Sequence, residues 1–167
     1  AQKDFSVPAR LVSIVRYPVK GLSPEALAQV TLTPGDPLPL DRAYAIENGP
    51  SGFDPAAPQT IAKMRYLVLM KNERLATLAT HLDERTRDLT LTPPDGAPVV
   101  GCLETPEGRR RIEAFLDAFM ADEARGPTKV LSSPGFSFSD VADRVVHLIN
   151  LASVRALETW IGQPVDP

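Results

Sequence analysis

Residues 16–22 read Arg16-Tyr17-Pro18-Val19-Lys20-Gly21-Leu22. They follow Leu11-Val12-Ser13-Ile14-Val15, a short β-rich run that predicts a strand. Pro18 has no N–H to give to a strand ladder, so regular pairing should fail beside it. Gly21 frees the backbone for a turn or a close approach to a ligand. Lys20 then stands where a strand gives way to a loop, a position from which a cation can be presented to an anionic ligand. A second loop, around Asp41-Arg42, stands at the entrance of another strand, Ala43-Tyr44-Ala45-Ile46.

Outward from these loops the first part of the chain reads as β structure. Leu27-Ala28-Gln29-Val30-Thr31-Leu32 alternates with period two, which predicts a half-buried strand. Pro34-Gly35-Asp36-Pro37 is a turn cluster. Three strands joined by turns, with no helical pattern between them, predict a meander or part of a small barrel and argue against a doubly wound parallel sheet. Asn48-Gly49-Pro50-Ser51-Gly52 is the strongest breaker cluster and marks a boundary within the fold.

Beyond it, Met64, Leu67, Val68 and Lys71 fall at helical spacing, predicting a helix of about 10 residues, with a strand over residues 66–70 as the competing reading. Residues 75–82 and 89–92 predict a hairpin, and residues 99–103 a buried strand. Thr105 and Pro106 open a helix whose stripe is Ile112, Phe115, Leu116 and Phe119. Lys129-Val130-Leu131 and residues 144–149 predict strands. Asn150 starts a last helix with Val154, Leu157 and Ile161 inward and Gly162 as its stop. The predicted class is α+β, mostly β. Residues 9–47 and 128–167 form one barrel-like unit, and residues 48–127 a small inserted α/β lobe. The chain stops just after a strand–helix pair, with no further strand to complete a sheet.

Composition narrows the function. The chain has 167 residues, 43% hydrophobic and 23% charged, the globular range. Its 17 prolines are dispersed, as befits short elements joined by stiff loops. A net charge of -3 calls for no nucleic-acid surface, and Arg109-Arg110-Arg111 reads as a solvated helix face. A single cysteine, Cys102, excludes a disulfide framework and a multi-cysteine zinc site, and fits a reducing, cytoplasmic setting. No apolar run approaches a membrane span, and no secretory h-region is visible. P-loop, dinucleotide-binding and nucleophile-elbow motifs are absent.

The chemistry-bearing residues have bland readings too. Cys102 reads as a small buried hydrophobe within an apolar strand. His147 and His81 read as packed, hydrogen-bonded histidines with no metal-ligand spacing between them. Alone, Lys20 reads as a solvated lysine and Arg42 as the partner of a carboxylate on a neighbouring strand. Together they are the parts of a phosphate site: a point charge from Lys20, a planar fork from Arg42 and a neutral donor from the Gly21 N–H.

These same residues carry a resemblance. Tyr17-Pro18-Val19-Lys20-Gly21-Leu22 with Leu40-Asp41-Arg42-Ala43-Tyr44-Ala45 resembles the opening of MOSC proteins, the family of molybdenum cofactor sulfurase C-terminal domains. Lys63-Met64-Arg65-Tyr66-Leu67 and Glu73-Arg74-Leu75-Ala76-Thr77-Leu78 are similar to the N-terminal β-barrel region that precedes the MOSC domain. Phe138-Ser139-Asp140 and residues 146–157 resemble the first strand–helix unit of the MOSC domain proper.

The resemblance implies an MOSC N-terminal β-barrel domain over residues 9–127 and the beginning of a MOSC domain, cut short, over residues 128–167. It implies the molybdenum cofactor, with Lys20, Gly21 and Arg42 on its pterin phosphate side and the Ser139-Asp140 loop also facing it. Some relatives carry serine where this chain has Gly21. The metal-ligating cysteine is expected downstream of this chain, Cys102 does not stand in that motif, and no catalytic or metal-binding residue is assigned. The implied activity is reduction of N-hydroxylated or N-oxide substrates, as in amidoxime-reducing components, with electrons from a redox partner protein and a second chain completing the barrel. Alternatives are a carrier of sulfur or cofactor without turnover, and an inactive truncated domain. Neither nucleic acid nor membrane is an expected partner.

Overall fold

The computed structural model describes residues 9–165. Seven short strands form three separate antiparallel sheets, with two α-helices and no closed barrel among the described residues. The class is α+β and mostly β, as the sequence predicts.

The first sheet pairs β1 (Ile14–Arg16) with β2 (Glu25–Leu27). The second pairs β3 (Tyr44–Asn48) with β7 (Thr128–Ser132), in the register Ile46 opposite Val130. The third has the order β4 (Ala79–Leu82), β5 (Asp88–Thr92), β6 (Val99–Cys102). Between β6 and β7 lies α1 (Pro106–Phe119), and α2 (Leu151–Ile161) closes the described chain.

The main core gathers Val19, Leu22, Tyr44, Ile46, Leu67, Leu75, Leu89, Leu91, Ile112 and Leu116, so the loop of residues 17–22 is itself a core element. A smaller core of Ala45, Tyr66, Val68, Leu131 and Phe138 lies on the other face of β3. Alternation along β3 explains the division, since Tyr44 and Ile46 serve one core and Ala45 the other.

The α1 helix follows its sequence signals. The Thr105 hydroxyl accepts the Gly108 N–H at 3.1 Å, Pro106 occupies the first turn, and Ile112 and Leu116 are buried. Its acidic side chains close the outer edge of β7. The Thr128 N–H donates to Asp117 Oδ1 at 2.7 Å and the Val130 N–H to Glu113 Oε1 at 2.8 Å.

Several expectations are corrected. The first strand is Ile14–Arg16 rather than residues 11–15, and Leu11 and Val12 are exposed. The second ends at Leu27, opposite Ile14, so the alternating residues 28–32 have no strand to pair with. The helix at residue 61 shrinks to a 3-10 turn, Lys63–Arg65. Tyr66 is then held extended by a bridge to Glu47, and the Leu67 N–H donates to the Ile46 carbonyl. Burial of Tyr66, Leu67 and Val68 in succession, shared between the two cores, overrides the helical spacing. Leu75 lies in a second 3-10 turn, Glu73–Thr77, so the hairpin begins only at Ala79. Residues 144–149 are not a strand, because no neighbouring backbone pairs with them among the described residues. The last helix is capped by Asn150 and stopped by Gly162 in the left-handed region as predicted, but none of its residues is buried. Leu157 and Ile161 are exposed, with Leu148 at 81% and Trp160 at 82%.

Arg109 is not on a solvated face. Its guanidinium donates to the Leu103 carbonyl and to Ser132 Oγ, tying α1 to β7. Cys102 is half-buried with its thiol on the Thr86 carbonyl. His147 and His81 are both exposed, and His81 Nδ1 lies 3.5 Å from Glu25 Oε1.

Candidate anion site

Pairing of β1 stops at Arg16, two residues before Pro18. The chain then lies along the start of β3 instead. The Tyr44 N–H donates to the Pro18 carbonyl at 3.2 Å, and the Lys20 N–H to the Tyr44 carbonyl at 2.9 Å. Gly21 turns the backbone at φ 81°, and Val19 and Leu22 bury themselves on either side. The Gly21 Cα faces the backbone of Leu67, where a Cβ would collide with the carbonyl oxygen. Its N–H donates no hydrogen bond among the described residues.

The second loop is locked onto the first. Asp41 Oδ1 accepts the Tyr17 N–H at 2.8 Å, and the Arg42 N–H donates to the Tyr17 carbonyl at 2.6 Å. Leu40 and Arg42 flank Asp41 with φ of 62° and 51°, so two residues with side chains hold the left-handed conformation. Arg42 Nη1 donates to Asp41 Oδ2 at 2.5 Å, and the guanidinium lies 5.0 Å from the centre of the Tyr17 ring. Its other nitrogens have no protein partner among the described residues.

Residues 137–140 strap the two loops together. The Phe138 N–H donates to the Arg42 carbonyl at 2.8 Å, and the Phe138 carbonyl accepts from Lys20 Nζ at 2.8 Å. Ser137 Oγ donates to the Asp41 carbonyl at 3.2 Å. Lys20 Nζ also reaches Asp140 Oδ1 at 2.5 Å and lies 5.7 Å from the Tyr66 ring centre. Phe138 is fixed from behind by the rings of Phe53, Phe136 and Tyr66.

Lys20 is therefore a buried, paired lysine and not a solvated one. Arg42 is paired through its own sequence neighbour rather than across a strand. The hydrogen bond from Lys20 holds the Asp140 carboxyl below the usual carboxylate range, and the charges of Lys20, Lys63 and Arg42 add to it. Burial pushes the Tyr66 phenol up to about 12, with the Glu47 carboxylate adding to the effect. Burial and a hydrogen bond to Glu104 raise the Tyr44 phenol further. Both phenols stay neutral at neutral pH.

The loops that carry Lys20 with Gly21 and Arg42 are thus packed together, and the backbone of Phe138 joins Lys20 to Arg42. Sequence reasoning missed the ring of Tyr17 under Arg42 and the charge of Lys63. Tyr17 was legible inside the Tyr17–Leu22 motif itself, and Lys63 stands three residues before Tyr66 in the turn that delivers that ring. Cys102 belongs to a different sheet. No group of three His, Cys, Asp or Glu side chains among the described residues is arranged to hold a metal.

The family of the MOSC N-terminal beta barrel domain matches residues 8–126, and the chain belongs to this family. The wider MOSC family is associated with the molybdenum cofactor. Neither the curated proteins nor the solved structures yielded a match. No helix among the described residues is long and apolar enough to cross a membrane.

Proposed function

We propose that residues 17–22, Arg42 and the strap form the phosphate-holding side of a molybdenum-cofactor pocket. The observation that carries this reading is the junction at Phe138, whose N–H holds the Arg42 backbone and whose carbonyl holds the Lys20 ammonium. The backbone of Arg42 and the ammonium of Lys20 are tied to one residue by it. The residues fit a phosphate. Arg42 keeps a free edge of its guanidinium, Gly21 an unused N–H, and Lys20 already holds a carboxylate.

The protein is then a molybdenum-cofactor oxidoreductase that reduces N-hydroxylated or N-oxide substrates. Electrons come from a separate redox protein, in the cytoplasm. The cofactor, when bound, supplies two-electron oxygen-atom chemistry. The residues here bind and orient its phosphate and hold that end away from water.

The test uses the protein expressed from its whole coding sequence in a cofactor-competent host. Metal analysis and oxidised-pterin fluorescence should show about one cofactor per chain. Lys20→Ala and Arg42→Ala should each reduce retention, since loss of one charge-assisted hydrogen bond costs roughly 1.5–3 kcal/mol. Unchanged retention in both variants rejects the site. Cofactor present without reduction of an N-hydroxylated substrate, under a supplied electron donor, assigns the protein to cofactor or sulfur carriage instead.

A further inference from the structure

We propose that the Asp140 carboxylate is a built-in occupant of the anion position, and that a phosphate-bearing ligand enters by displacing it from the Lys20 ammonium. The inference rests on the reading of Lys20, Gly21 and Arg42 as a phosphate site.

The two partners of Lys20 differ in kind. One is the carbonyl of Phe138, a residue clamped by its own N–H on Arg42 and by the surrounding aromatic rings. The other is a side chain that is 63% exposed, while the Lys20 side chain is 7% exposed. The buried ammonium is thus paired with a carboxylate that is itself open to solvent. Beyond Phe138 the backbone restraint ends, and the next anchor is the Arg144 side chain, on Asp36 Oδ1 and the Gly135 carbonyl. Residues 139–149 make no backbone hydrogen bonds among the described residues. Asp140 can swing away while Phe138 stays in place.

Charge gives the direction of the exchange. The Asp140 carboxylate feels Lys20, Lys63 and Arg42 together, and its lowered pKa reports that this position favours negative charge. A carboxylate brings one negative charge and two oxygens. A phosphate monoester brings a second charge and a third oxygen, so it gains more from three cations. Asp140 thus sets a threshold. Dianionic phosphate ligands exceed it, and carboxylate ligands, which only match what they replace, do not. The same pair keeps the buried ammonium from being left unpaired when no ligand is bound.

The experiment is a titration of this chain with inorganic phosphate, and separately with acetate, followed by calorimetry or amide chemical shifts. Asp140→Asn should bind phosphate about threefold to tenfold more tightly than the parent and should newly bind acetate. Asp140→Glu, which keeps the charge, should stay within about twofold of the parent. Adding Lys20→Ala to Asp140→Asn should remove the gain. Asp140→Ser removes the same charge with a smaller side chain, and circular dichroism confirms that each variant is folded. If Asp140→Asn and Asp140→Ser bind phosphate no better than the parent while Lys20→Ala weakens binding, displacement is overturned and the phosphate site stands. If phosphate binding is absent throughout, or indifferent to Lys20→Ala and Arg42→Ala, both readings fall.

Discussion

A methyl group at Gly21 would meet the carbonyl oxygen of Leu67, and the backbone there holds φ at 81°. A side chain here therefore meets both a steric contact and a backbone conformation that L residues rarely adopt. Gly21→Ala is expected to lower stability by about 2–3 kcal/mol, read from the denaturant midpoint. Gly21→Ser should cost as much. An unshifted midpoint would mean that the loop can move off Leu67. The importance of this loop was legible because proline and glycine punctuate a short motif. The partner of Lys20 was not legible by spacing, because Asp140 lies 120 residues along the chain. Side-chain pairing over that distance is set by how the strap crosses the sheet. Arg42 misled for a different reason: an aspartate directly before it takes one arm of its guanidinium.

At the scale of elements, α1 seats on β6 through glycine. A Cβ at Gly108 would strike the backbone of Cys102, and one at Gly101 would strike the Gly108 carbonyl. Alanine at position 108 would raise helix propensity by about 1 kcal/mol. The close approach reverses the sign, and Gly108→Ala is expected to destabilise the fold by about 1–3 kcal/mol in equilibrium unfolding. A stabilised variant would show that the helix can lift from the sheet without loss. The helix itself was plain in the sequence, since its cap, its proline and its stripe all agree. The second helix was equally plain in its cap and stop, yet its inward stripe faces solvent. Periodicity shows that an apolar face exists. It does not show what the face rests on. The helix expected after residue 61 failed in the opposite way, because two cores claim adjacent residues and hold them extended.

For the molecule as a whole, the interior built from residues 19–138 contrasts with the segment C-terminal to it. From Val141 to Ile161 the large apolar side chains Val141, Val145, Val146, Leu148, Ile149, Leu157, Trp160 and Ile161 are exposed. Residues 139–149 form neither strand nor helix and have no backbone partners among the described residues. Arg144 is held only by its side chain, on Asp36 Oδ1 at 2.7 Å and on the Gly135 carbonyl at 2.9 Å. Brief trypsin treatment should therefore cut after Arg144 before any basic residue between β1 and β7, giving a fragment that begins at Val145. Mass spectrometry of the early digest decides it, and a first cut within the β4–β5 turn or α1 would contradict this ranking. The α+β class was legible because strands and helices each carry their own period. The division into three small sheets was not, because pairing of β3 with β7 depends on contacts between segments far apart in the chain.

The carboxylates that close the edge of β7 also act as a ruler. Glu113 and Asp117 are four residues apart on a helix, a spacing of about 6.0 Å along its axis. The N–H groups they receive, at Val130 and Thr128, are two residues apart on a strand, about 6.7 Å. The two lengths nearly match, and the helix and strand run in opposite senses. A slip of β7 by two residues would bring another pair of amides to the same carboxylates, but a slip by one that sets Pro127 in the place of Thr128 would leave Asp117 facing a residue with no N–H. The helix thus measures the strand beside it and disfavours the slip that would bring Pro127 against its carboxylates.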